Sequence, residues 1–377
     1  MTGGGAAAPV PPGATIGILG GGQLGRMTAL AAARLGYRCH VYAPDEDSPA
    51  AYVSAAWTRA AYDDRETLAR FAGAVDVVTF EFENIPYESV RLLSDRVPVR
   101  PGWEALRVSQ DRVVEKDFVR GLGIGTADYR AVGDAAGLAA AMGAMGGSGV
   151  LKTTRLGYDG KGQVRMDGRI APDVAWRAMG AGQGILEAFV DFDCEISVIV
   201  ARGLDGAMAT YVPVANRHRN HILDETVAPA PLAPGLAAEA ETIARRIAAA
   251  LGLVGLLAVE MFVTRDGRVL VNEMAPRPHN SGHWTIDACV TSQFEQFVRA
   301  VCGLPLGAPD RLCDAVMTNL IGDDVERWPD LLRDPAAKVH LYGKAEARSG
   351  RKMGHVTRLL RTPVGDRASA TAGVSPK

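Results

Sequence analysis

The sequence lacks any pairing of its cysteines. There are five (Cys39, Cys194, Cys289, Cys302 and Cys313), odd in number, scattered, and never in a C-x-x-C spacing. A disulfide framework or a zinc site is therefore not expected, and a reducing, cytoplasmic setting is. An excess of one charge is missing too, with 41 basic against 43 acidic residues and a net charge of −2. No nucleic acid or anionic membrane is expected as a partner. The apolar run at 247–259 is 13 residues long and holds two glycines, too short to span a bilayer. The opening MTGGGAAAPVPPGA has no charged segment before an apolar one, so residues 1–14 read as a disordered lead-in rather than a signal peptide. Finally, no G-x-x-x-x-G-K-[ST] loop occurs, which argues against a P-loop NTPase.

What is present is length and alternation. A chain of 377 residues exceeds one ordinary core and implies two or three domains. TIGILG reads as a strand, QLGRMTALAAARLG as a helix, and RCHVYAP, DRETLARFAG and VDVVTFEFEN continue the alternation. This predicts a Rossmann-like domain over 15–105 with a parallel, doubly wound sheet. Its first turn carries Gly20-x-Gly22-x-x-Gly25, the dinucleotide fingerprint. Asp45 stands near the place of a ribose-binding acid. That spacing accepts many anions, so it does not decide between a nicotinamide enzyme and another ligand.

A second unit over 106–190 holds the strand GVLKTT, the loop RLGYDGKGQVRM and the strand GILEAFV. A third, over 191–361, begins at CEISVIVARG and reaches the hairpin VGLLAVEMFVTRDGRVLVNEMAP. Residues 362–377 read as a flexible tail.

The hairpin carries the clearest chemistry. Taking Asp266-Gly267 as a two-residue turn pairs Arg265 with Arg268 and sets Glu260 directly opposite Glu273. Facing carboxylates destabilise a ladder, and a divalent cation between them removes the conflict. Splayed, solvated side chains are the alternative, and a one-residue slip would separate the two. The three glycines and lysine of GYDGKG suit phosphate oxygens, or a surface hairpin. Lys152 interrupts an apolar strand, which calls for a phosphate partner or for an edge strand that lets it reach water. NEMAPRPHNSGHWT is dense in polar side chains, as a binding loop is.

Together, GILGGGQLGRM, TFEFENIP, QDRVVEK, LKTTRLGYDGKGQ, EISVIVARG, NRHRNHIL, VEMFV, NEMAPRPHNSGHWT and GRKMGH run in one order over about 15–360. They resemble the ATP-grasp superfamily and, within it, the N5-carboxyaminoimidazole ribonucleotide synthetases of purine biosynthesis. The resemblance implies an α/β and α+β chain, an ATP-grasp fold with an N-terminal Rossmann-like parallel-sheet domain. It places ATP against Arg112, Lys152, Gly157, Tyr158, Asp159, Gly160, Lys161, Gly162, Gln163, Glu187, Ala188, Phe189, Val190, Glu195, His218, Asn272 and Glu273. It gives Mg2+ or Mn2+ to Glu260 and Glu273. Tyr158, Lys161 (often arginine in the family) and Lys352 would face bicarbonate and carboxyphosphate as catalytic groups. Gly22, Gln23, Leu24, Glu81, Asn280, Ser281, His283, Lys344, Arg351 and Lys352 would surround 5-aminoimidazole ribonucleotide. A homodimer is also implied. The rival readings are an ATP-grasp enzyme with another acceptor, of biotin carboxylase, glycinamide ribonucleotide transformylase or peptide-ligase type; a nucleotide-dependent oxidoreductase; and a non-catalytic nucleotide-binding regulator.

Overall fold

Thr15–Leu19 lies inside a four-stranded parallel sheet, between Arg38–Tyr42 and Val77–Phe80, with Ala56–Thr58 outermost beyond Arg38–Tyr42. Ile16, Ile18, Leu19, Val77, Val78 and Phe80 are almost wholly buried, as strands covered on both faces must be. The short edge strand Ala56–Thr58 escapes sequence reading because its residues are mostly exposed and show no alternation. The strand order turns back at Thr15–Leu19, so the glycine-rich turn and the segment after Phe80 flank one crevice. Ligands of open α/β sheets bind at such a switch point.

The computed structural model describes residues 8–157, 162–180 and 182–360. Residues 1–7 of the lead-in, Tyr158, Asp159, Gly160 and Lys161 of the glycine-rich loop, and the tail at 362–377 lie outside the described residues. Within the described part, the lead-in expectation is corrected. Val10 N–H donates to Cys302 O at 2.8 Å, Tyr37 OH donates to Val10 O at 2.7 Å, and Val10 and Ala14 pack on the core. Apolar burial and two satisfied backbone groups hold residues 8–14 against the body.

The second unit is an antiparallel sheet in the order Tyr129–Val132, Gly184–Glu187, Gly149–Thr153, Gln163–Met166. Helices Ala135–Ala144 and Pro172–Met179 cover it. The third unit is built on one sheet, nine-stranded among the described residues. It runs from the hairpin Gly255–Thr264/Val269–Ala275 through Phe192–Arg202, Val214–Arg219 and Ile222–Ala228 to Asp314–Ile321, Lys352–Leu360 and Ala337–Leu341, with Met208–Thr210 pairing Phe192–Arg202 off this path. Helix Pro234–Ala250 covers one face of it, and helix Gln293–Cys302 fills the space between it and helix Gln23–Arg34. No helix among the described residues is long and apolar enough to cross a membrane.

Candidate active site

The three units enclose a cavity of about 1060 Å³. Of the residues predicted for ATP, Arg112, Lys152, Gly157, Gly162, Gln163, Glu195, His218, Asn272 and Glu273 line it, as does Glu260. From the predicted ribonucleotide set, Gly22, Gln23, Leu24, Glu81, Asn280, Lys344, Arg351 and Lys352 line the same space. Residues far apart in the chain thus share one chamber. Glu187, Ala188, Phe189 and Val190 are not among its lining residues. The Glu187 carboxylate turns inward, 2.8 Å from Lys152 Nζ and 3.4 Å from Lys116 Nζ.

The hairpin reaches the expected pairing by a different route. Thr264 N–H donates to Arg268 O and Gly267 N–H to Thr264 O, both at 2.9 Å. The loop is therefore the three residues Arg265, Asp266 and Gly267, with Gly267 at φ +80°, rather than a two-residue turn. A regular ladder from there would face Glu260 with Asn272. The ladder instead shifts between Glu260 and Met261, so that Met261 pairs Val271 while Glu260 pairs Glu273. Asn272 is the extra residue of a bulge, and bulges re-aim side chains beside functional sites. The longer loop and the bulge cancel.

Each facing carboxylate has a cationic or imidazole neighbour. Glu260 Oε1 lies 3.0 Å from His279 Nε2, and Glu273 Oε2 lies 2.8 Å from Arg112 Nη1. Burial works to raise the Glu273 pKa, but Arg112, with Lys152 and His279, holds its carboxyl well below the usual range. Among the described residues no group of three or more His, Cys, Asp or Glu side chains is arranged to hold a metal. Two carboxylates do fit Mg2+, which binds through one or two of them and takes phosphate oxygens and water for the rest.

Lys152 sits on an inner strand, between Gly184–Glu187 and Gln163–Met166, so the edge-strand explanation is corrected. Its charge is answered from inside by Glu187, and its side chain still lines the cavity. Across the chamber, His218 Nδ1 meets Glu195 Oε2 at 2.5 Å. Burial would lower the His218 pKa, but this carboxylate raises it on balance.

The fingerprint turn has an internal occupant. Gly22 N–H donates to Glu81 Oε1 at 2.6 Å and Gly25 N–H to Glu81 Oε2 at 3.0 Å. Burial pushes the Glu81 carboxyl up, and those two amides oppose the shift. A dinucleotide pyrophosphate would meet a carboxylate where the fingerprint normally offers free amides, so the glycines clear space for Glu81 rather than for a second anion. A Cβ on Gly20 would lie 2.3 Å from Glu81 Cγ, at a backbone φ of +111°. Gly20→Ala is therefore expected to cost about 1–3 kcal/mol of stability. Urea unfolding of the two proteins checks this, and equal midpoints would refute the packing of Glu81 into the turn.

At the far wall, Lys344 Nζ donates to Lys352 O at 2.6 Å, and burial, with Arg351 nearby, pushes its pKa down to about 8. Arg351 Nη2 pairs with Asp47 Oδ2 at 2.9 Å, joining the C-terminal segment to the first unit. Asn280 exchanges amide hydrogen bonds with Asn319, at 3.0 and 2.7 Å. Ser281 and His283 are corrections: both are fully buried and neither lines the cavity. The turn Asn280–Gly282 aims the Ser281 hydroxyl at Ser197 (2.7 Å), and His283 packs on Gln293, Phe294 and His355. Sequence reading missed the Glu83–Arg277 ion pair, Asn319, Gln293, Glu115 and Lys116. Gln293 grips the His279 backbone on both sides, at its N–H (2.9 Å) and its C=O (2.8 Å). For Glu115 and Lys116 a signal existed: both charges fall on the buried face of helix Arg112–Gly121.

Comparison with known proteins agrees with this geometry. Residues 13–110 match the ribonucleotide synthetase preATP-grasp domain, 117–294 the ATP-grasp domain and 315–364 the phosphoribosylaminoimidazole carboxylase C-terminal domain. The N5-carboxyaminoimidazole ribonucleotide synthase of Brucella melitensis biotype 1 is 51% identical over 350 residues, 92% of this chain and 97% of that protein. A bifunctional purine synthesis protein of Dictyostelium discoideum is 47% identical over 92% of this chain, which spans only 37% of it. The ADP complex of an N5-carboxyaminoimidazole ribonucleotide synthetase superposes with a TM-score of 0.91 at 44% identity, covering 94% of both chains. The Aspergillus clavatus synthase in complex with ADP and 5-aminoimidazole ribonucleotide does so at 0.86 and 31%, covering 92% of this chain and 94% of that one. Domain order, chain coverage and cavity thus converge, and the chain belongs to the N5-carboxyaminoimidazole ribonucleotide synthase family of ATP-grasp proteins.

Proposed function

We propose that the cavity carboxylates 5-aminoimidazole ribonucleotide with bicarbonate at the expense of ATP, through carboxyphosphate. One observation carries the reading. The facing pair Glu260 and Glu273, with Arg112 and Lys152, shares a single chamber with Gln23, Glu81, Lys344, Arg351 and Lys352. Nucleotide-type and ribonucleotide-type side chains then face one another with room for both ligands. The ligands named for the related structures support this pairing.

Bicarbonate is a weak electrophile. Transfer of the γ-phosphoryl group to one of its oxygens breaks the bond to ADP and forms carboxyphosphate. The exocyclic amine of the ribonucleotide then takes the carboxyl carbon, phosphate leaves, and the amine loses a proton. Little covalent work falls to the protein, whose contribution is positioning and charge neutralisation. Arg112 and Lys152 supply fixed positive charge at the ATP side, and Lys344, Arg351 and Lys352 hold the ribonucleotide phosphate. Glu260 and Glu273 would hold Mg2+, which when bound would supply neutralisation of phosphate charge. The resemblance assigns Tyr158 and Lys161, which lie outside the described residues, to the carboxyphosphate, and in this reading the enzyme works as a cytoplasmic homodimer.

The test is phosphate release from MgATP with bicarbonate and 5-aminoimidazole ribonucleotide, each omitted in turn. Omission of any one is expected to bring release to background. Release that is unchanged without the ribonucleotide and stimulated by another acceptor would move the chain to a different ATP-grasp reaction.

A further inference from the structure

Helix Arg112–Gly121 sends two charged side chains into the protein interior. Glu115 is 2% and Lys116 1% exposed. Both reach strand Val269–Ala275, one on each side of Glu273. Glu115 Oε1 accepts Met274 N–H at 2.6 Å, and Lys116 Nζ donates to Asn272 O at 3.1 Å. Asn272 is the bulge residue that brings Glu273 opposite Glu260. A bulge takes its extra residue out of the ladder, and the freed backbone groups then need other partners. Here the Asn272 carbonyl is met by the Lys116 ammonium and the nearby Met274 N–H by a Glu115 carboxyl oxygen, polar groups whose burial is costly unless they are bonded. The same lysine stands 3.4 Å from Glu187 Oε1, while Glu187 Oε2 holds Lys152 Nζ at 2.8 Å. One buried ammonium therefore ties the Glu273 bulge to the lysine on the opposite wall.

We propose that Glu115 and Lys116 are positioning residues that pin the bulge. They fix Glu273 opposite Glu260, and Lys152 relative to both, and so set the affinity for a divalent cation bound with nucleotide phosphates. Without the pin the strand relaxes to a regular ladder, which faces Glu260 with Asn272 and turns Glu273 to the other face. The inference rests on reading Glu260 and Glu273 as the cation ligands.

The test is calorimetric binding of ADP with and without Mg2+, and the quantity read is the ratio of the two dissociation constants. Lys116→Met and Glu115→Leu keep side-chain bulk and remove the donor or the acceptor. Each is expected to reduce the Mg2+-dependent tightening by about tenfold or more, as loss of a group supporting a metal ligand does. Glu115→Gln, which keeps an acceptor oxygen, and Lys116→Arg, which keeps a donor, are expected to recover most of it. Should the first two fail to fold, Glu115→Asp, which withdraws the acceptor by one methylene, takes their place under the same criterion. A folded variant with the wild-type ratio, or one weakened equally with and without Mg2+, overturns the pinning role. Glu273→Ala separates the two readings. If it too leaves the ratio unchanged, the assignment of the cation ligands fails; if it alone abolishes the effect, only the pinning does.

Discussion

Glu273→Ala is expected to lower phosphate release from MgATP by a factor on the order of a hundred or more, the scale seen when a preorganised charge-stabilising group is removed. The folded state is expected to survive. Two facing carboxylates, read from the sequence alone, suggest that this substitution relieves a clash. The structure reverses the sign, because Arg112 already compensates Glu273 at 2.8 Å and His279 stands beside Glu260. The variant therefore leaves Arg112 without that partner. The cost is modest, since the Glu273 side chain is 40% exposed to the cavity and its ion pair is screened by solvent. The pH dependence follows from the depressed Glu273 pKa. A carboxylate whose folded pKa lies below its unfolded one stabilises the fold above the unfolded value and loses that contribution as pH falls through the folded value. The small stability gap between wild type and variant should accordingly close on acidification. Single-turnover phosphate release and urea unfolding at two pH values measure both effects. More than a tenth of wild-type turnover in a folded Glu273→Ala protein would remove Glu273 from the phosphate chemistry.

Glu187→Ala is expected to act the other way, through stability first. Its side chain is 5% exposed, and it is the shared counter-ion of Lys152 and Lys116, whose side chains are 16% and 1% exposed. Removing it leaves two ammonium groups near one another in a largely dry setting. Breaking a buried ion pair from one side costs about 3–5 kcal/mol. Burial alone would raise the Glu187 pKa, but Lys152 and then Lys116 hold it below its usual value of 4.5. Its contribution is therefore complete above that value and lost as pH falls through the lowered one. Urea unfolding at neutral pH should show the full loss, and the difference from wild type should shrink in acid. A loss below about 1 kcal/mol, the scale of an exposed ion pair, would mean that both lysines reach water or other partners. Substitution here also releases Lys152 from its inward anchor, so ATP affinity should fall even where the protein is refolded and stable.

Local periodicity carried much of the architecture in the sequence. Strand-length stretches rich in β-branched and aromatic residues marked Thr15–Leu19, Arg38–Tyr42 and Val77–Phe80, and helical spacing between them pointed to parallel crossovers. The hairpin was legible because Asp266-Gly267 interrupts two apolar strands. Its critical pair came out right only because a three-residue loop and a one-residue bulge offset each other. A bulge is decided by what packs against the strand, here two polar side chains from a helix more than 150 residues earlier, with separations of 156 and 159. No pattern within the strand reports it.

The motif residues divide in the same way. Composition and spacing determined that this chain has a parallel-sheet entry domain, a lysine-bearing second sheet and a carboxylate hairpin, because those features repeat within a few residues. Tertiary structure alone decided which side chains meet. It put the Glu81 carboxylate, 59 residues from Gly22, into the glycine turn that the fingerprint would leave open for a phosphate. It buried Ser281 and His283, while Asn280, in the same turn as Ser281, reaches the cavity. Adjacent residues with similar polarity received opposite environments because turn geometry and strand order, rather than residue type, set the direction of each side chain.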